Sequence, residues 1–134
     1  VPTPHTYDYA IVRVVPRVER GEFVNAGVVL SCKAAGYLKC VIDLDEARLL
    51  ALDPAVELPT LRATLATLPA ICEGGAAAGP LRTLSARERF DWLVAPRSTS
   101  IQTSAVHSGR CEDLDAALAH LLKRMVRPLG AQRG

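Results

Sequence analysis

Aromatic side chains are scarce: one Trp, three Tyr and two Phe make up 4% of the 134 residues. Proteins that stack the bases of single-stranded nucleic acid draw on such rings, so their scarcity weighs against that role. Neither sign of charge dominates, with 16 basic and 14 acidic residues and a net charge of +2. That balance does not demand a polyanionic partner. No apolar run approaches the roughly 20 residues needed to cross a bilayer. The N-terminal residues Val1 to His5 show no basic region followed by an apolar stretch, so no secretory signal is expected. Histidine occurs three times, and the paired H-x-[ST] motifs of a two-histidine phosphodiesterase are missing. The G-x-S-x-G elbow of a serine hydrolase is also missing, and the glycine loop at 74–79 lacks the G-K-[ST] ending of a P-loop. Cys32, Cys40, Cys72 and Cys111 form no C-x-x-C, so reduced thiols, no zinc site and no cofactor are expected.

What remains is a globular composition, 49% hydrophobic with a mean hydropathy of +0.16. One domain spanning 1–134 is expected, ordered over about 6–127 with a frayed C-terminal tail. A chain of this size buries roughly two-thirds of its unfolded surface without needing a staple.

Tyr7–Val15, Phe23–Cys32 and Tyr37–Asp43 read as strands, rich in β-branched and aromatic residues and joined by short polar turns. Gly27 inside the second strand points to a bulge or a close backbone approach. The period then becomes helical. A short helix over Glu46–Leu52 is expected, then one carrying the Leu61, Leu65 and Leu68 stripe and ending near Pro69. Residues 73–80 read as a loop. Ser85 and Glu88 have capping-box spacing and start a helix to about Val94, with Phe90, Trp92 and Leu93 as core. Thr99–His107 reads as extended. The final helix, Glu112–Val126, carries Leu114, Leu118, Leu121, Leu122 and Met125 on one face. These elements imply an α+β fold: a four-stranded, mainly antiparallel sheet with helices packed on one face.

Two polar segments stand out. Residues 97–107 carry hydroxyls, an amide, a guanidinium and an imidazole on both faces of an extended run, groups that recognise anions and amides. Solvated edge-strand polarity is the structural alternative. Residues 17–27 place Asn25 inside a strand, where a buried amide needs partners. Arg13, Asn25, Arg97, Ser98, Gln102 and His107 are therefore the candidate ligand-binding residues, expected to converge on one concave polar site. His107 is the candidate acid or base, its ordinary pKa lying near neutrality. The arginines from Arg82 to Arg110 are the candidate nucleic-acid surface.

The runs Tyr7–Pro16, Glu19–Leu30, Arg89–Gln102 and Val106–Gly109 resemble an uncharacterised bacterial family, domain-of-unknown-function family 3037. The resemblance spans about 7 to 126 and carries no catalytic assignment. It implies a small cytoplasmic bacterial protein and a protein partner, a HipA-like kinase. The leading expectation is a binding or adaptor domain with a polar pocket, taking a protein partner or a small anionic ligand. The alternatives are a small enzyme acting on a phosphorylated or amide substrate through His107, and a nucleic-acid-binding module.

Overall fold

The computed structural model describes residues 4–132. Three strands, β1 (His5–Val14), β2 (Val24–Cys32) and β3 (Tyr37–Ile42), form an antiparallel meander. Two short C-terminal strands, β4 (Ile101–Thr103) and β5 (His107–Cys111), lie end to end along the other edge of β1. All pairings are antiparallel, in the order β3-β2-β1, with β4 and β5 sharing the fourth position. The α+β class and the antiparallel sheet are thus as the periodicity implies.

The single extended run expected over 99–107 is interrupted at 104–106. Ser104 accounts for the break. Its N–H donates to the Ile11 carbonyl at 2.9 Å, and its Oγ accepts the Ile11 N–H at 2.9 Å. A side-chain oxygen stands where a strand carbonyl would be, so the ladder is satisfied without continuing. In β2 the register shifts opposite Val12 and Arg13. A Cβ on Gly27 would collide with the Val41 carbonyl, so the glycine permits the close approach of β3.

The helices do not share one face of the sheet, as the sequence suggested. Side chains alternate along β1 and both sets are apolar, so both faces need cover. Ala10, Val12 and Val14 join Leu49 of α1 (Glu46–Leu52), Leu61, Leu65, Leu68 and Cys72 of α2 (Leu58–Glu73), and Phe90 and Leu93 of α3 (Ala86–Leu93). On the opposite face, Ile11, Val28, Leu30 and Cys32 meet Leu114, Leu118, Leu121 and Leu122 of α4 (Leu114–Met125). Val126, not Met125, completes that stripe; Met125 is 43% exposed.

Two boundaries also differ from expectation. α2 runs through Pro69 to Glu73, because one missing N–H is offset by burying Cys72 and packing Ile71. Residues 75–83 are 3-10 turns, not open loop, with Ala78 buried. Leu129–Gln132 also form a 3-10 turn within the expected tail; Arg133 and Gly134, like Val1 to Thr3, lie outside the described residues. Among the described residues no helix is long and apolar enough to cross a membrane.

Candidate functional site

The strand register brings three of the six candidate residues into one row. Asn25 on β2 is the partner of Arg13 on β1, and Arg13 is the partner of Gln102 on β4. All three therefore share the α4 face, about 4.8 Å apart from strand to strand. Asn25 Nδ2 donates to the Met125 carbonyl at 2.9 Å and ties the end of α4 to the sheet. The Arg13 guanidinium lies 4.2 Å from the Phe23 ring centroid. Arg13 Nε and Asn25 Oδ1 are buried and have no hydrogen-bond partner among the described residues.

The other candidates lie elsewhere. His107 is on the same face but opposite Tyr9, four residues from Arg13 and so about 13 Å along β1. It is exposed, with its ring centroid 5.6 Å from that of Tyr9. No hydrogen bond joins it to a carboxylate, hydroxyl or thiol among the described residues. Arg97 caps the end of α3: Nη1 donates to Leu93 O at 2.8 Å and Nη2 to Trp92 O at 2.5 Å. Its guanidinium lies 4.3 Å from the Trp92 ring centroid. Trp92 is not core; it is 44% exposed, because Phe90 and Leu93 take the inward turn of the helix. Ser98 is exposed beside it. The six residues thus do not gather in one concavity, although Arg97 and Gln102 both border a cavity of about 160 Å3.

Much of the polarity of 97–104 is spent on the main chain. Thr99 Oγ1 donates to Ile101 O at 2.8 Å, Gln102 Nε2 to Thr99 O at 2.9 Å, and Ser104 Oγ to Ala105 O at 2.9 Å. With the Arg97 cap, these bonds build an irregular bridge from α3 to the sheet edge.

That bridge forms one wall of a groove. A cavity of about 470 Å3 lies between Thr99–Ile101 and the start of α2. A second, of about 160 Å3, continues past Thr103 to Trp92 and Arg97. The two share Thr64, Thr99 and Ile101. Val14, Leu61, Leu68 and Ile101 supply an apolar floor, and Thr60, Thr64 and Thr67 of α2 supply the opposite wall. The Thr64 hydroxyl donates to Thr60 O at 3.0 Å and that of Thr67 to Thr64 O at 2.6 Å. Their oxygen lone pairs stay available as acceptors. Asp53 and Glu57 mark one end, where Arg17 Nε pairs with Asp53 Oδ2 at 3.1 Å. Reading the sequence for the leucine stripe alone misses this wall. The signal is present as threonines at 60, 64 and 67, a helical spacing that flanks the stripe of Leu61, Leu65 and Leu68.

The arginine stretch does not form a free cationic surface. Arg82 donates to Gly79 O, and Arg89 to the carbonyls of Ile71, Leu84 and Cys72. Arg87 bonds Asp8 Oδ2 at 2.7 Å and Asp91 at 3.3 Å. Asp8 also accepts from Ser108 Oγ at 2.5 Å. The Ser108 hydroxyl first, then Arg87, hold the Asp8 carboxyl below the ordinary range. Of the five arginines Arg110 alone stands clear, exposed on β5.

The cysteines are free. Cys32 and Cys40 sit on opposite faces of the sheet, so the hairpin does not pair them. Cys40 meets Cys72 of α2; that hydrogen bond and burial push the Cys40 thiol well above its ordinary pKa. Among the described residues no group of three or more His, Cys, Asp or Glu is placed to hold a metal ion.

No curated protein and no solved structure matches the chain. A family model described as protein of unknown function (DUF3037) matches residues 9–126, from β1 through the end of α4. The match takes in the whole sheet core, the bridge and both groove walls, and the chain belongs to the DUF3037 family.

Proposed function

We propose that the chain is a non-catalytic binding domain, an adaptor whose groove between α2 and residues 99–103 receives a segment of a partner protein. The observation that carries this reading is the groove itself. Two adjoining cavities of about 470 and 160 Å3 share an apolar floor and hydroxyl-lined walls, the mixture a specific binding cleft uses. A catalytic reading has less support. His107 lies against Tyr9 with the two rings tilted, away from the groove, and among the described residues has no hydrogen bond to a group that would orient it as general-base chemistry needs. A HipA-like kinase, the partner implied by the family resemblance, is the first protein to test, with the cytoplasm as the compartment.

Calorimetric titration of the purified kinase into the protein tests the reading. Thr64→Arg places a long cation in the shared section of the groove and should weaken binding by roughly tenfold or more, about 1.4 kcal/mol. Thr83→Arg makes the same change outside both cavities and should bind as wild type. Equal affinity for all three proteins removes the groove as the binding site.

A further inference from the structure

The C-terminal end of α4 opens onto a different cavity, of about 360 Å3, bordered by Asn25, Arg48, Arg124 and Arg127. It shares no lining residue with the groove. The cations arrive from separate elements: Arg48 from α1, Arg124 from α4 and Arg127 from just beyond it. Arg127 Nε pairs with Asp43 Oδ2 at 2.8 Å. Arg48 and Arg124 are exposed and have no carboxylate partner among the described residues. The acidic residues nearest Arg48 in sequence are engaged otherwise: Asp45 accepts the Arg48 backbone N–H, and Glu46 pairs with Arg62.

Helix-end electrostatics accounts for part of this cluster. A cation in the last turn of α4 complements the partial negative charge there. Arg48 has no such reason. It stands in the first turn of α1, where its own helix disfavours a cation.

We propose that this cavity binds the dianion of a phosphate monoester. Three guanidiniums, offset by Asp43 and by roughly half a negative charge at the end of α4, leave about one and a half net positive charges around the opening. A planar carboxylate is saturated by one bidentate arginine, whereas a phosphate presents oxygens in three directions and suits guanidiniums arriving from separate elements. Asn25 is fixed by its bond to Met125 O, which holds the cavity wall in place. Leu129, 82% exposed, supplies an apolar rim for the organic part of an ester. This inference stands apart from the groove, and either can fail alone.

Phosphorus NMR and calorimetry with inorganic phosphate, phosphoserine and adenosine monophosphate test it on the full chain. Saturable binding of at least one probe is expected, weakened roughly tenfold or more in Arg48→Gln/Arg124→Gln and by a smaller factor in each single variant. Tighter binding of an ester than of inorganic phosphate, reduced by Leu129→Ser, assigns the site to an organic monoester; equal binding assigns it to free phosphate. The charge-matched pair Arg82→Gln/Arg110→Gln, distant in sequence and outside the cavity lining, should bind as wild type. No saturable binding of any probe up to about 10 mM overturns the proposal, since even a weak site of about 1 mM would show. So does an equal loss in the charge-matched pair. Thr64→Arg should leave phosphate binding unchanged, which separates failure here from failure of the groove.

Discussion

Replacing Ser104 by alanine removes one oxygen and leaves the Ile11 N–H without its acceptor in the middle of the sheet. Ser104 and Ile11 are each 7% exposed, so water reaches neither freely. A buried donor left unpaired costs about 1–3 kcal/mol. The lost hydroxyl also gives up its bond to Ala105 O, which keeps the break between β4 and β5 in shape. For a chain of this size each kcal/mol moves the melting temperature by about 3–5 °C, so Ser104→Ala should lower it by about 3–15 °C. Urea denaturation measures the free energy, and hydrogen exchange at the Ile11 amide reports the lost bond directly. Ser98→Ala, an exposed serine in the same segment, should fall within about 0.5 kcal/mol of wild type. If Ser104→Ala is equally neutral and the Ile11 amide stays protected, the hydroxyl does not stand in for the strand.

Leu118→Ala and Leu121→Ala should each cost about 2–5 kcal/mol in chemical denaturation, because both are buried against the sheet, whereas exposed His120→Ala should stay within about 0.5 kcal/mol. Asp8 is held ionised in the fold, so its contribution is in place above its unfolded pKa near 4 and is lost as pH falls through the lower folded value. Asp8→Asn should accordingly flatten the acid limb of melting temperature against pH; an unchanged limb means the Ser108 and Arg87 bonds do not couple to stability. Thiol titration should count four in denaturant, with partly exposed Cys111 reacting first in the native protein while buried Cys32, Cys40 and Cys72 lag. Two thiols in denaturant would mean a disulfide, and equal native rates would mean the burial is wrong.

The meander and the helices are legible because their signals are local: β-branched and aromatic residues along Tyr7–Val14, the Ser85 and Glu88 capping box, and the leucine stripe of α4. The division of helices between two faces was harder to read. It was written in the apolar residues on both sides of β1, but choosing which helix covers which side depends on chain path. Pro69 misled because burial of Cys72 outweighs one missing N–H, a tertiary effect invisible in propensity. The polarity of residues 97–107 is unusual for a strand, yet its side chains mostly bond main-chain groups within a few residues, and such bonds leave no periodic trace. The cluster of Arg48, Arg124 and Arg127 joins residues far apart in sequence, and it forms only because α1 on one face of the sheet and the end of α4 on the other border the same cavity.

The placement of β4 and β5 beside β1 also has a consequence for synthesis. Ile11 and Ser104 are 93 residues apart, so one edge of β1 has no native partner until the intervening chain has been made. At about 5–20 residues per second, that edge waits roughly 5–20 s after emerging. β1 is apolar on both faces through its middle, and an unpaired strand of that kind templates pairing between neighbouring chains. Long-range closure is also the slow part of folding. The yield of native protein should therefore depend on how crowded the nascent chains are, rising when synthesis is slow enough to keep neighbours dilute.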